Sequence, residues 1–193
     1  MSKYTFISLF TLSFALICSS AFAAPSKVVT KGQARFTSTA PLEKIVGTAP
    51  VTGQFNVDFK KPEAITGIFE VPVVDMKTGN EMRDDHLRGP EWLNAKKCPK
   101  ITFEVKQSKV LDFKPSDDKG ITTIKAAVEG IMTINCVSKP MKAQAIIKRK
   151  GNMNKVGSQF KIALADYNVA GKKGVVGEKV GKSISVVINL KGK

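Results

Sequence analysis

The residues best equipped for chemistry lie between Thr78 and Cys98. The run Thr78-Gly79-Asn80-Glu81-Met82-Arg83-Asp84-Asp85-His86-Leu87-Arg88 mixes both charge signs and holds the chain's single His; the single Trp, Trp92, follows it. An imidazole beside carboxylates is suited to proton transfer, but one His without a matching nucleophile makes no catalytic set. Asp84 and Asp85 are adjacent, so they do not face each other in a helical or an extended segment. Cys98, Cys136 and His86 match no standard zinc spacing. There is no Gly-rich phosphate loop and no nucleophile elbow. The segment therefore reads as a polar element of a binding protein, not as an enzyme's active site, with no cofactor and no metal.

This segment must be held by strands. It reads as a strand-turn-helix-strand insert, with a short helix over 84–95 and Pro99 resetting the backbone to extended. Elsewhere apolar residues alternate with period two. Val51, Gly53, Phe55, Val57 and Phe59 share one face, and Ile65, Gly67, Phe69, Val71 and Val73 share the next. Further runs at 101–113, 121–136, 141–148, 159–166 and 183–190, with an irregular first strand at 28–38, make about eight strands. Turns are expected at 61–62, 77–80, 116–120, 138–140, 151–154 and 171–177, with a second helical piece within 175–182. Such a chain closes into a barrel or folds as a two-sheet sandwich. Two long strands and the in-strand glycines Gly53, Gly67 and Gly130 favour the barrel, where curvature must be eased. The fold class is all-β: one eight-stranded antiparallel barrel with a short helical insert.

Residues 1–23 form a secretory leader. Lys3 supplies its charge, 6–17 its apolar core and Ala21-Phe22-Ala23 its small-x-small cleavage site, predicting a cut after Ala23 and a soluble periplasmic domain over 24–193. The apolar run is too short for a membrane span. Ile17 before Cys18 is too bulky for a lipoprotein site. The net charge of +15 favours acidic partners: peripheral contact with an anionic membrane fits an exported protein, and nucleic acid does not. An outer-membrane barrel would show aromatic girdles and an unbroken apolar outer band; here lysines alternate into the strands.

Cys98 and Cys136 would remain in an oxidising compartment. A hairpin centred near residue 117 brings them close, yet matching the apolar faces of the strands at 101–113 and 121–136 requires paired residues with an odd index sum, and these two have an even one. Two alternatives stand: free thiols, or a disulfide that needs a bulge or a backbone change at Pro99.

The barrel interior also has two readings. Eight strands enclose just enough space for their own side chains to fill. Of the 11 Phe and 2 Tyr, however, Phe6, Phe10, Phe14, Phe22 and Tyr4 fall in the leader. Small residues such as Ala126, Ala143, Ala145, Ala163 and Ala165 leave room wherever they point inward.

Thr78, Asn80, Arg83-Asp84, His86-Leu87 and the restart Pro99-x-Ile101-Thr102-Phe103 resemble the signature of the YceI-like family. The likeness continues through Gly53-x-Phe55, Val128-Glu129-Gly130-Ile131-Met132-Thr133-Ile134 and Val137-Ser138-Lys139-Pro140. It implies a lipocalin-like barrel whose tunnel binds a polyisoprenoid lipid, of polyprenyl or quinone type, with links to transport, storage or stress response. On that resemblance the ligand-binding candidates are Phe55, Val57, Phe69, Val71, Phe103, Val128 and Met132 along the tunnel. Arg83, Asp84, His86 and Leu87 are then either headgroup contacts at its mouth or, for Arg83 and Asp84, an ion pair or helix cap that holds the insert over the barrel. Cys98 stands where the family has an aromatic, and Trp92-Leu93 where paired aromatics are common. Asp166-Tyr167-Asn168-Val169 matches a later Arg-containing turn only loosely, and Met76-Lys77 replaces a Ser-rich entry to the motif. These departures bear on the headgroup more than on the fold. The competing readings are a filled barrel acting through its basic surface and an enzyme on an isoprenoid substrate. The sequence leaves the oligomeric state open.

Overall fold

The computed structural model describes residues 25–39, 43–169 and 180–193; the expected leader at 1–23, the turn at 171–177 and most of the second helical piece lie outside them. Eight antiparallel strands follow one another around a closed barrel. They are β1 (Ser26–Thr39), β2 (Lys44–Val57), β3 (Thr66–Pro72), β4 (Lys100–Lys114), β5 (Ile121–Ile134), β6 (Val137–Lys150), β7 (Met153–Ala163) and β8 (Ser183–Gly192), with one helix, α1 (Glu81–Arg88), between β3 and β4. β8 returns to β1, pairing Ser38 with Ile184 and Thr30 with Gly192. Closure pairs every strand with two neighbours, although the mouth-end stretches of β2 before Thr52 and of β6 before Gln144 have a strand neighbour on one side only.

The alternation predicts the inward face. Val51, Phe55 and Val57 on β2 and Ile124, Ala126 and Val128 on β5 are buried. The odd index sum holds where β4 meets β5, as in Phe103 opposite Met132 and Phe113 opposite Ile124. Register shifts at Lys106 and Leu111 break it between those pairs. The first turns Ser108 inward, where its Oγ accepts the Ile65 N–H at 2.7 Å; the second leaves Leu111 exposed on the outside. Each extra residue bends the strand as closure demands.

Three strands begin four or more residues earlier than the sequence predicts, at Lys44, Val137 and Met153. Proline explains two. Pro50 pairs with Gln33 on β1, but β3 joins β2 only from Thr52. Pro140 pairs with Ile131 on β5, but β7 joins β6 only from Gln144. Each proline therefore lies where its strand has a neighbour on one side only, and the missing N–H removes no ladder bond. The turn expected at 138–140 is instead Asn135-Cys136, both with positive φ (49° and 57°), the backbone that twists a two-residue hairpin correctly.

That turn settles the cysteine question: Cys98 and Cys136 form a disulfide, with Cα atoms 5.4 Å apart. Their even index sum is no obstacle because neither lies in the ladder. Cys98 precedes Pro99 and the start of β4, and Cys136 occupies the left-handed turn after β5. The bond ties the insert to the β5–β6 turn. The chain-entropy account of a bridge spanning 38 residues gives about 3–4 kcal/mol of stability. Reduction, or Cys98→Ser with Cys136→Ser, is expected to lower the unfolding free energy in urea by that order; an unchanged midpoint would show that the insert is held by packing alone.

Candidate functional site

The interior is filled at one end and open at the other. At the filled end Phe55, Val57, Ile65, Ile124, Val128 and Ile147 pack together. The Arg149 guanidinium lies over the Phe59 ring there, 4.4 Å from its centroid. Toward the insert the same barrel holds a cavity of about 380 Å³. Its depth is lined by Ala34, Val51, Val186 and Ile188, its waist by Phe36, Phe69, Phe103, Met132 and Phe160, and its rim by Glu43, Thr78, Asn80, Met82, Arg83 and His86.

Small residues make the space, though not all those expected. Ala126, Ala143 and Ala145 belong to the packed end, and Ala163 and Ala165 are exposed. Ala34 and Ala49 face the cavity, and two glycines let aromatic rings lie against the wall. A Cβ on Gly53 would run into the Phe69 ring, and one on Gly47 into the Phe36 ring and the Lys77 carbonyl. Each ring covers its cross-strand glycine instead of projecting into the lumen.

The insert builds the rim. After Pro72 a 3-10 turn, Val73–Asp75, buries Val73 completely, and Thr48 pairs with Lys77. The Asn80 side chain accepts the Arg83 N–H at 2.9 Å and so caps α1. This starts the helix at Glu81, earlier than the expected 84, because an Asn side chain satisfies an otherwise orphaned N–H. Gly89-Pro90 ends it at Arg88, where the sequence suggested 95. Beyond the helix, Leu93 and Ala95 turn under the insert and are buried with Met76 and Ile134. Tyr167 is buried in the same cluster; burial raises its phenol above the ordinary range, and Asp166 adds to the effect.

Arg83 and Asp84 do not pair with each other as one sequence reading had it. Asp84 is buried, and its Oδ1 accepts from the Thr78 N–H at 2.7 Å and from the Thr78 hydroxyl at 2.6 Å. Arg83 Nε donates to Thr78 Oγ1 at 2.9 Å, Nη2 to the Thr78 carbonyl at 3.1 Å and Nη1 to Glu43 at 2.7 Å. Asp84 is thus a clamp within the insert and does not line the cavity, whereas Arg83 joins the helix to the start of β2 at the rim. His86 and Leu87 border the cavity. Of the tunnel candidates, Phe69, Val71, Phe103 and Met132 line it. Phe55, Val57 and Val128 do not, because they face inward at the packed end, a distinction between two ends of one face that alternation does not contain. The sequence reading also passed over Phe36, Ile45, Phe160, Ile162 and Ile184, which the same alternation places inward. Among the described residues no group of three or more His, Cys, Asp or Glu could hold a metal.

A closed eight-stranded meander with an apolar calyx, a packed floor and a helical insert at its rim defines a lipocalin-like barrel fold. The YceI-like domain model matches residues 25–192, and the chain belongs to that family. A UPF0312 protein of Pectobacterium atrosepticum is 31% identical over 96% of this chain and 97% of its own. Protein YceI of Escherichia coli is 31% identical over 69% of this chain and 68% of its own. Among solved structures, Burkholderia cenocepacia BcnA superposes with a TM-score of 0.65 at 17% identity, covering 86% of this chain and 96% of that one. A polyisoprenoid binding domain from Saccharophagus degradans superposes with a TM-score of 0.63 at 11% identity, covering 88% and 98%. These two likenesses concern the fold.

Two substitutions separate the clamp from the calyx. Asp84→Ala leaves two Thr78 donors without their acceptor and should cost about 2–3 kcal/mol in denaturant unfolding. Gly53→Val should drive the Phe69 ring into the lumen, lowering uptake of a fluorescent apolar probe more than it lowers stability. Full probe uptake by that variant would remove Gly53 from the account of how the space is made.

Proposed function

We propose that the protein is an exported, non-catalytic carrier that holds the tail of an isoprenoid lipid, a polyprenyl or quinone compound, in its calyx for transport, storage or stress protection. The observation that carries this reading is the distribution of polarity. The cavity is walled by aliphatic and aromatic side chains through its depth, and its polar groups are confined to the rim. A hydrocarbon tail needs no polar partner in such a space, and each buried CH₂ contributes about 0.8 kcal/mol. An isoprene chain is long enough to accumulate that term. The solved polyisoprenoid binding domain of the same fold supports the choice of tail.

At the rim, Arg83, His86, Thr78 and Asn80 stand where a headgroup would emerge. Arg83 is already held by Glu43, so an anionic headgroup reaches the guanidinium by exchanging with that carboxylate. The role is binding without turnover: Asp84 is committed to Thr78, and the single His comes with no nucleophile motif in the sequence. The leader pattern at 1–23 supports export, as does a disulfide, which persists in an oxidising compartment. Osmotic shock should therefore release the protein with the periplasmic fraction.

Native mass spectrometry of the exported protein, followed by solvent extraction, tests the cargo. The expected result is a stoichiometric prenyl lipid. A mass that stays bare after incubation with quinones and polyprenyl phosphates would overturn the reading in favour of a barrel acting through its surface. Phe103→Asp places a charge against the apolar wall, which is costly, and should abolish retention. Ala49→Phe, which fills the lumen without burying a charge, should do the same in a protein that still folds.

A further inference from the structure

The outer wall of the barrel is divided by charge. Its strand carboxylates, Glu70, Glu104, Asp112 and Glu129, lie on β3, β4 and β5. Each is paired with a lysine: Lys100 at 3.1 Å, Lys106, Lys125 at 3.6 Å and Lys142 at 2.8 Å. Strands β6, β7, β8 and β1 contain no Asp or Glu, so every ionisable side chain on them is Lys or Arg. The register then concentrates the charge. Lys31 lies opposite Lys191, Lys191 opposite Lys155, and Lys155 opposite Lys148. All four are exposed, in one row across adjacent strands about 4.8 Å apart.

Like charges directly opposite each other destabilise a sheet. Three such pairs in succession oppose folding, and among the described residues none of the four has a carboxylate partner. Val29, Val187, Ile146 and Met153 stand on the same wall and are 52, 37, 42 and 45% exposed. In the sequence these lysines are scattered; closure of the barrel gathers them.

We propose that this wall is a docking surface for an anionic phospholipid bilayer. An array of lysines with aliphatic side chains between them complements a plane of lipid phosphates, whose charge is diffuse and whose boundary is partly apolar. Lysine is a flexible point charge, whereas geometric recognition of a nucleic acid or an acidic protein favours the fork of arginine. The row lies near the packed floor, and the mouth opens at the opposite ends of β1 and β8. Docking by the wall therefore leaves the rim uncovered, and this inference is independent of what the calyx holds.

Co-sedimentation with vesicles of phosphatidylcholine, with and without phosphatidylglycerol, tests the proposal. The protein should bind only the phosphatidylglycerol vesicles and should be released at high salt. Lys155→Glu with Lys191→Glu should weaken binding by at least about thirtyfold. The same variant should unfold at a higher temperature, because two of the row's three like-charge pairs, Lys31 with Lys191 and Lys148 with Lys155, become pairs of opposite charge and only the pair between 155 and 191 stays repulsive. The matched pair Lys109→Glu and Lys114→Glu, on β4, carries the same change in net charge and should leave most of the binding intact. Equal loss from both pairs would overturn the proposal, since net charge alone would then explain the attraction. Binding that ignores phosphatidylglycerol, or binding to heparin or an acidic protein but to no vesicle, would also overturn it.

Discussion

Everything in this protein depends on the closed hydrogen-bonded ladder. Once β8 pairs with β1, each strand must send alternate side chains inward, and the lumen is filled or left open by the sizes of those side chains alone. The packed floor around Phe55, Val57, Ile124 and Ile147 and the calyx above it are two outcomes of one constraint. Where a small residue or a glycine faces inward across from a ring, the ring lies flat and a space remains. The floor and the smaller buried cluster beneath the insert, around Val73, Leu93 and Ile134, supply the apolar contact on either side of the calyx.

The insert completes the calyx by a different kind of interaction. Its cap at Asn80, the Asp84 clamp on Thr78 and the Arg83 bonds are local and polar, and the disulfide fixes the far end of the same segment to the β5–β6 turn. The rim is thereby held at both ends, and Val73, Met76, Leu93 and Ala95 pack beneath it. A mouth can then be polar at its edge and apolar immediately below it. That arrangement suits a ligand with one hydrocarbon end and one hydrated end.

Much of this was legible in the sequence, because period-two alternation and odd-sum pairing are properties of the chain itself. The strand count, the inward faces of β2 and β3 and the odd index sum at both ends of the β4–β5 ladder follow from them. The beginnings of β2 and β6 did not, because proline breaks a ladder only where a strand has two neighbours, and neighbour number is a property of the closed barrel. The disulfide stood open for a related reason: its cysteines lie just outside the ladder, where the parity rule has no force. The motif around Arg83 located the insert, yet the partners of each side chain had to be seen, since Asp84 turns to Thr78 and Arg83 to Glu43. Distance from the floor, which separates Phe69 from Phe55 on one continuous face, is equally invisible to alternation.

The strand order carries a topological consequence. Every ladder except the last joins consecutive strands, and the last brings the two ends of the domain together: the Val29 N–H donates to the Lys193 carbonyl at 3.2 Å. The seam between β1 and β8 is thus equivalent in the barrel to any other ladder. Joining the ends and opening the turn between β4 and β5 instead would give a circular permutant with the same register, calyx and rim. Because β1 starts and β8 ends beside the floor, that new peptide bond would lie at the pole of the barrel farthest from the mouth.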